Sequence, residues 1–188
     1  MKKIHFASSN PDKISEVGMI LGGMGINVHP VNAELHEIRS EIQKDVAVEK
    51  AKTAYSLLKM PVIAEDTGVY FEAYDDFPGA FPSFVFRSIG YGGIMALLKG
   101  KNRKAYFRTI VAYYNGKILR TFEGLCKGRI TDIPDLPKFQ NPKLPYEAIF
   151  VPSGKKVRFC RMTKDEKNAI SHRARALRKF GNWFLKKK

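Results

Sequence analysis

The chain has 188 residues, 44% of them hydrophobic, which suits one domain with a buried core. No apolar run approaches the roughly 18 residues of a membrane-spanning helix, and two cysteines, Cys126 and Cys160, are too few for a disulfide framework, so a reducing cytoplasm is expected. The net charge of +15 is uneven, because residues 155–188 hold 13 Lys or Arg against Asp165 and Glu166; such an end suits nucleic acid, an acidic small molecule or a solvated helix face.

Lys3 to Ala7 alternates polar and apolar residues, as a strand does. A helix follows, with Asn10 as N-cap, Pro11 at the first helical position and Asp12 near the positive end. Ile14, Val17, Ile20 and Leu21 form its apolar face, and Gly22-Gly23 end it. Ile26 to Val31 reads as a second strand. Ile42 to Lys59 reads as a helix with Val46, Ala54, Leu57 and Leu58 inward. Val62 to Ala64 is a buried strand, broken at Glu65-Asp66-Thr67-Gly68, with extended structure resuming over Val69 to Ala73. Residues 75–84 read as a loop and Ile94 to Lys99 as a short helix. Asn115-Gly116 joins strands at Ala105–Tyr114 and Lys117–Leu125 into a hairpin. Arg129-Ile130 continues the sheet, four prolines make 132–145 irregular, and Ala148 to Val151 is a further strand. Thr163 and Glu166 have capping-box spacing. After Ser171 comes a helix burying Ala174, Leu177, Phe180 and Phe184. Mixed helices and strands with an antiparallel hairpin point to an α/β or α+β fold with a mixed sheet.

Four segments could carry chemistry. Ser8-Ser9-Asn10-Pro11-Asp12-Lys13 places hydroxyls, a helix N-terminus and a lysine where an anion could sit, although it lacks P-loop glycines. The plain alternative is a well-capped turn. Glu65 and Asp66 beside an apolar strand are costly unless a cation pairs with them, and magnesium favours carboxylates with water and phosphate. The alternative is a solvated turn. Glu37 and Glu41 flank Arg39 in what otherwise reads as a charged loop. Lys167, Ser171, His172 and Arg173 could clamp phosphate or a base edge, while Arg175, Arg178 and Lys179 read as a solvated face.

SSNPDK, EDTG, FPGAF and EKNAISHRARAL occur in an order and spacing that resemble the inosine triphosphate pyrophosphatase family over nearly the whole chain. The resemblance implies a single domain of two lobes with a central cleft, an elongated mixed sheet flanked by helices, and a homodimer. It implies magnesium-dependent hydrolysis of ITP, dITP and XTP to the monophosphate and pyrophosphate. It places Ser8, Ser9, Asn10, Lys13 and Lys50 on the phosphates, Glu37 and Asp66 at the metal with Asp66 as catalytic acid, and Thr67 beside it. Lys167, His172 and Arg173 would grip the nucleotide. The family's GFGYDPIF segment corresponds here to Lys143 through Phe150, so Leu144 replaces a stacking Phe and Glu147 replaces Asp, with Tyr146 retained beside it. The alternatives are a related nucleotide hydrolase with altered base specificity and a basic nucleic-acid-binding protein. The lysine clamp accounts for the positive charge without nucleic acid.

Overall fold

The computed structural model describes residues 2–32, 38–135 and 144–187. Its sheet has seven strands: β1 (Lys2–Ala7), β2 (Ile26–Val31), β3 (Val62–Phe71), β4 (Phe77–Gly79), β5 (Lys104–Tyr114), β6 (Leu119–Ile130) and β7 (Phe150–Pro152). Their order is β2-β1-β3-β5-β6-β7, with β4 on β3. β1 is parallel to β2 and β3, and the remaining pairings are antiparallel. The helices are α1 (Pro11–Gly22), α2 (Gln43–Leu58), α3 (Pro82–Leu97), α4 (Lys164–Ile170) and α5 (His172–Lys186). The mixed sheet flanked by helices is the expected architecture.

Helices cover both faces of the sheet. α1 and α5 pack on one face, where Val17, Leu21, Leu177 and Phe180 meet Ile4, Phe6, Ile63 and Val111. Full burial of each such side chain contributes about 1.5–3 kcal/mol. α2 lies on the opposite face, with Ala47, Ala51 and Ala54 against Val62, Ala64, Ile110 and Ala112. A further core joins Val69, Phe71 and Ile94 to Phe107, Phe150 and Phe159. Side chains alternate along a strand, so Ile63 and Glu65 face α1 and α5, while Val62, Ala64 and Asp66 face α2.

Several boundaries differ from the sequence reading. β3 runs unbroken through Glu65–Gly68 because its acids meet cations on the two sides, and β5 pairs along its whole length. Gly68 is needed for close approach, since a Cβ there would lie 2.5 Å from the Gly79 carbonyl. The helix expected at Ile94 begins at Pro82, inside the expected loop, and is interrupted where Gly90 adopts φ +58°. Its apolar, glycine-rich sequence hides the helical period. Leu57 was expected inward and is 66% exposed; the alanine stripe, with Leu58 packed at its edge, faces the sheet. β6 extends to Ile130 without a break, and the turn at Pro145–Ala148 delays β7 to Phe150. The capping box at Thr163 and Glu166 is formed as its spacing implied.

Candidate active site

The site is built around an opening in the sheet. One edge of β3 is paired with β1 at Val62–Ala64 and with β4 at Val69–Phe71. Among the described residues no strand pairs on that edge at Glu65–Gly68, the one short stretch of backbone between the Glu65 face and the Asp66 face.

α1 starts beside this opening. Ala7 pairs with Ala64, and the chain turns through Ser8, Ser9 and Asn10. Asn10 Oδ1 accepts from the backbone N–H groups of Asp12 (3.0 Å) and Lys13 (3.3 Å), and Pro11 takes the first helical position. Asn10 N–H donates to Ser8 Oγ at 3.2 Å. Lys13 then reaches Glu65 at 3.1 Å.

Glu65 also receives two hydrogen bonds from Arg173, Nε at 2.8 Å and Nη2 at 3.0 Å. Arg173 Nη1 donates to Glu16. Lys167 Nζ donates to the other oxygen of Glu16 at 2.5 Å and to Glu147. Lys13, Glu65, Arg173, Glu16, Lys167 and Glu147 thus form one chain of alternating charge. Burial alone would raise Glu65 and Glu16, but Arg173 together with Lys13 or Lys167 holds both below the ordinary carboxylate value. Burial lowers Arg173, yet the charges of Glu65 and Glu16 overcome it and raise the guanidinium further. Burial raises Glu147 against the pull of Lys167.

A cavity of about 80 Å³ opens next to this chain, lined by Lys13, Thr67, Leu144, Glu147, His172 and Arg173 among others. Phe107 stacks on His172 with ring centroids 4.6 Å apart and 15° between planes. His172 Nδ1 is buried without a hydrogen-bond partner among the described residues. Burial, then Arg173 and Lys167, push its imidazole well below its ordinary 6.5. It is therefore neutral at pH 7 and can donate or accept. Thr67 Oγ1 hydrogen-bonds Thr109 Oγ1 at 2.7 Å. Tyr146 also lines the cavity, but its ring is buried and its hydroxyl donates to the Pro82 carbonyl at 3.0 Å.

Asp66 is on the other face. Its Oδ1 lies 4.0 Å from Lys50 Nζ on α2. A ligand touching the cavity, Lys13 and Asp66 together must therefore wrap around the open edge of β3. Glu37 lies outside the described residues. Among the described residues no group of three or more His, Cys, Asp or Glu could hold a metal. A single hard carboxylate beside that open edge still fits magnesium, which takes much of its coordination from water and phosphate.

Sequence reasoning found the capped turn, the lysines and the His172–Arg173 pair. It missed Glu16, which pairs with two cations, although a signal existed: Glu16 precedes Ile20 by one turn and sits next to Val17, in the apolar stripe. It also treated Glu65 and Asp66 as a unit, whereas strand alternation separates them. Arg175 and Arg178 are not simply solvated. Arg175 donates to the Leu125 carbonyl, and Arg178 to the Asn168 and Ala169 carbonyls at the end of α4.

These shifts predict how stability follows pH. The unfolded chain protonates His172 below about pH 6.5 and the native state does not, so this group's contribution is lost as pH falls. Glu65 and Glu16 contribute fully above pH 4.5, and their share is lost as pH falls below that value. Glu147, raised, has the opposite sign: its burial costs stability as pH rises above 4.5. In urea unfolding, the stability of wild type relative to His172→Gln should grow between pH 5 and 6.5, by up to about 1.4 kcal/mol per pH unit, and then level. A difference independent of pH would contradict a neutral buried imidazole.

The Ham1 family model matches residues 4–183. The dITP/XTP pyrophosphatase of Thermococcus kodakarensis is 37% identical over 182 residues, covering 96% of each chain. That of Saccharolobus solfataricus is 36% identical over 96% of this chain and 93% of its own. Among solved structures, a HAM1 protein from Coxiella burnetii superposes over both whole chains with TM-score 0.81 at 24% identity, a likeness of fold. A nucleoside-triphosphatase, dITP/XTP pyrophosphatase, from Mycobacterium abscessus gives TM-score 0.69 at 27% identity over 95% of this chain and 98% of its own. With matched residues spanning β1 to α5 and the sheet shared throughout, the chain belongs to the Ham1 family.

Proposed function

We propose that this chain hydrolyses non-standard purine nucleoside triphosphates, ITP, dITP and XTP, to the monophosphate and pyrophosphate. The observation that carries this reading is the open edge of β3, with a cavity on one side, Asp66 and Lys50 on the other, and the start of α1 between them. The base enters the cavity against His172, Arg173 and Glu147, beside Thr67 and Tyr146. The triphosphate turns around the edge past Ser8, Ser9, Asn10 and Lys13 toward Lys50 and Asp66. Helix N-terminus and lysines offset its charge. Magnesium, when bound, would neutralise charge building on the phosphate oxygens, with Asp66 and Glu37 to hold it. Asp66 orients the attacking water at the α-phosphorus and takes up its proton, and pyrophosphate leaves. Lys13, Lys50 and, from within the charge chain, Lys167 favour the more charged transition state.

The relatives bearing the name dITP/XTP pyrophosphatase support this substrate class. The two-lobed reading of the single domain rests on the division between the core around α5 and that around α3. A homodimer follows from the family resemblance. No described helix is long and apolar enough to cross a membrane, in keeping with a cytoplasmic enzyme.

Leu144 and Glu147 in the cavity wall favour a second reading, a shifted base preference. A leucine offers no aromatic stacking, and Glu147 is already engaged by Lys167. A panel of ITP, dITP, XTP, GTP, ATP and pyrimidine triphosphates, with pyrophosphate and orthophosphate measured separately, tests both. The 6-keto non-standard purines should be best, with pyrophosphate as product. A best substrate outside the 6-keto purines would establish the second reading, and no cleavage of any triphosphate with magnesium would end both.

A further inference from the structure

Asp66 and Lys50 approach each other from a strand and a helix that meet mostly through alanine. Among the described residues six of the eight buried side chains of the α2 core are alanine, and the larger Tyr55 and Leu58 pack against it at the far end of the helix, so the start of α2 is held against the sheet mainly by small side chains. The first turn of α2 has no side-chain cap, because its N-cap is Ile42. Something else must fix where the helix starts.

Gln43 occupies that position. It is 1% exposed, and its side chain makes four hydrogen bonds. Nε2 donates to the Asp66 carbonyl at 2.8 Å and to the Arg108 carbonyl at 2.9 Å. Oε1 accepts from Tyr70 Oη at 2.8 Å and from Arg108 Nε at 2.7 Å. Both donors and both lone pairs of the amide are used. The partners are themselves braced: Arg108 Nη2 donates to Tyr70 Oη at 2.5 Å, its guanidinium lies 4.5 Å over the Tyr70 ring, and Tyr70 stacks on Tyr106 at 4.7 Å. Lys50 follows Gln43 by seven residues, two turns along the same helical face.

We propose that Gln43 is a positioning residue for the reaction: by tying the first residue of α2 to the Asp66 backbone and to β5, it sets the separation of Lys50 from the Asp66 carboxylate. This deepens the pyrophosphatase reading and rests on it for its kinetic consequence. Gln43 touches no substrate in this scheme; it acts through the two residues it aligns.

The test uses Gln43→Glu, which keeps shape but turns an oxygen toward two carbonyls, and Gln43→Met, which keeps volume without polar groups. Tyr70→Phe, which leaves both carbonyl bonds in place, is the control. Steady-state kinetics on dITP and crystal structures are read together. Both Gln43 variants should lose about 10–100-fold in kcat with KM within about threefold, and the Lys50 Nζ to Asp66 Oδ1 separation should move by more than about 1 Å from 4.0 Å. Tyr70→Phe should keep kcat within about threefold of wild type. If Gln43→Glu does not fold, Gln43→Met carries the test, and if neither Gln43 variant folds, the amide is a stability element and the proposal fails. Wild-type kcat in a Gln43 variant, a rise in KM alone, or an unchanged separation would overturn it. Should wild type release no pyrophosphate from any triphosphate, the pyrophosphatase reading fails by itself, and the crystallographic separation alone decides whether Gln43 sets this geometry.

Discussion

Asp66→Asn should reduce kcat for pyrophosphate release about 10²–10⁴-fold, while KM changes by less than about fivefold. That loss equals about 3–5 kcal/mol of transition-state stabilisation. The reason is chemical: the amide keeps the size of the carboxylate but cannot take a proton from water or lend full negative charge to a cation. The fold should survive. Asp66 stands at the open edge, 9% exposed, and the backbone carbonyl that anchors α2 is unaltered. Circular dichroism and urea unfolding of the variant should match wild type within about 1 kcal/mol. Retained turnover with intact folding would remove Asp66 from the mechanism and leave the face holding Lys13 and Glu65 as the seat of the chemistry.

The largest effect on stability should come from Arg173→Met. Arg173 is 1% exposed, and its guanidinium hydrogen-bonds both Glu65 and Glu16. Removing it leaves buried Glu65 with Lys13 alone and buried Glu16 with Lys167 alone, and breaking such a network from one side costs about 3–5 kcal/mol. For a domain of this size that corresponds to a fall of about 10–15 °C in Tm. Arg173→Lys should recover only part, because an ammonium cannot reproduce the two-pronged contact with Glu65. A double change, Arg173→Met with Glu65→Met, should be less destabilised than Arg173→Met alone, since it removes one buried charge that has lost its two-pronged partner. Thermal and urea unfolding at pH 7.5 would check all three. A double variant worse than the single one would show that Glu65 depends on Lys13 rather than on Arg173.

The strand-to-helix turn at Asn10 and Pro11 was legible because capping chemistry is local, and the structure realises it with both expected backbone donors. The mixed sheet followed from alternation and from Asn115-Gly116. α3 was obscured because Gly90, Gly92, Gly93 and exposed Phe84 and Ile89 give no clean apolar face. For the site, short motifs named the cations and three of their anions, Glu65, Asp66 and Glu147, but not Glu16. Glu16 pairs with residues 151 and 157 positions away, and no local pattern carries that information. Gln43 was equally silent, since a glutamine near a helix start reads as surface until four hydrogen bonds with Asp66, Tyr70 and Arg108 surround it. Glu37 was singled out from the sequence, lies outside the described residues, and enters only through the proposal for the metal.

The separation of Glu16 from Arg173 also governs how the protein is made. As the chain leaves the ribosome N-terminal end first, at about 5–20 residues per second, β1, α1 and β3 emerge well before α5. Until α5 docks, Ile4, Phe6, Val17 and Leu21 lack its Leu177 and Phe180, and Glu16 and Glu65 lack their guanidinium. The nascent polypeptide therefore presents a sticky sheet face and a Glu16 without its cations, and the proposed nucleotide pocket is still unassembled. On the proposed function, the site is complete only in one late step, when the helix that completes the hydrophobic core also delivers His172 and Arg173.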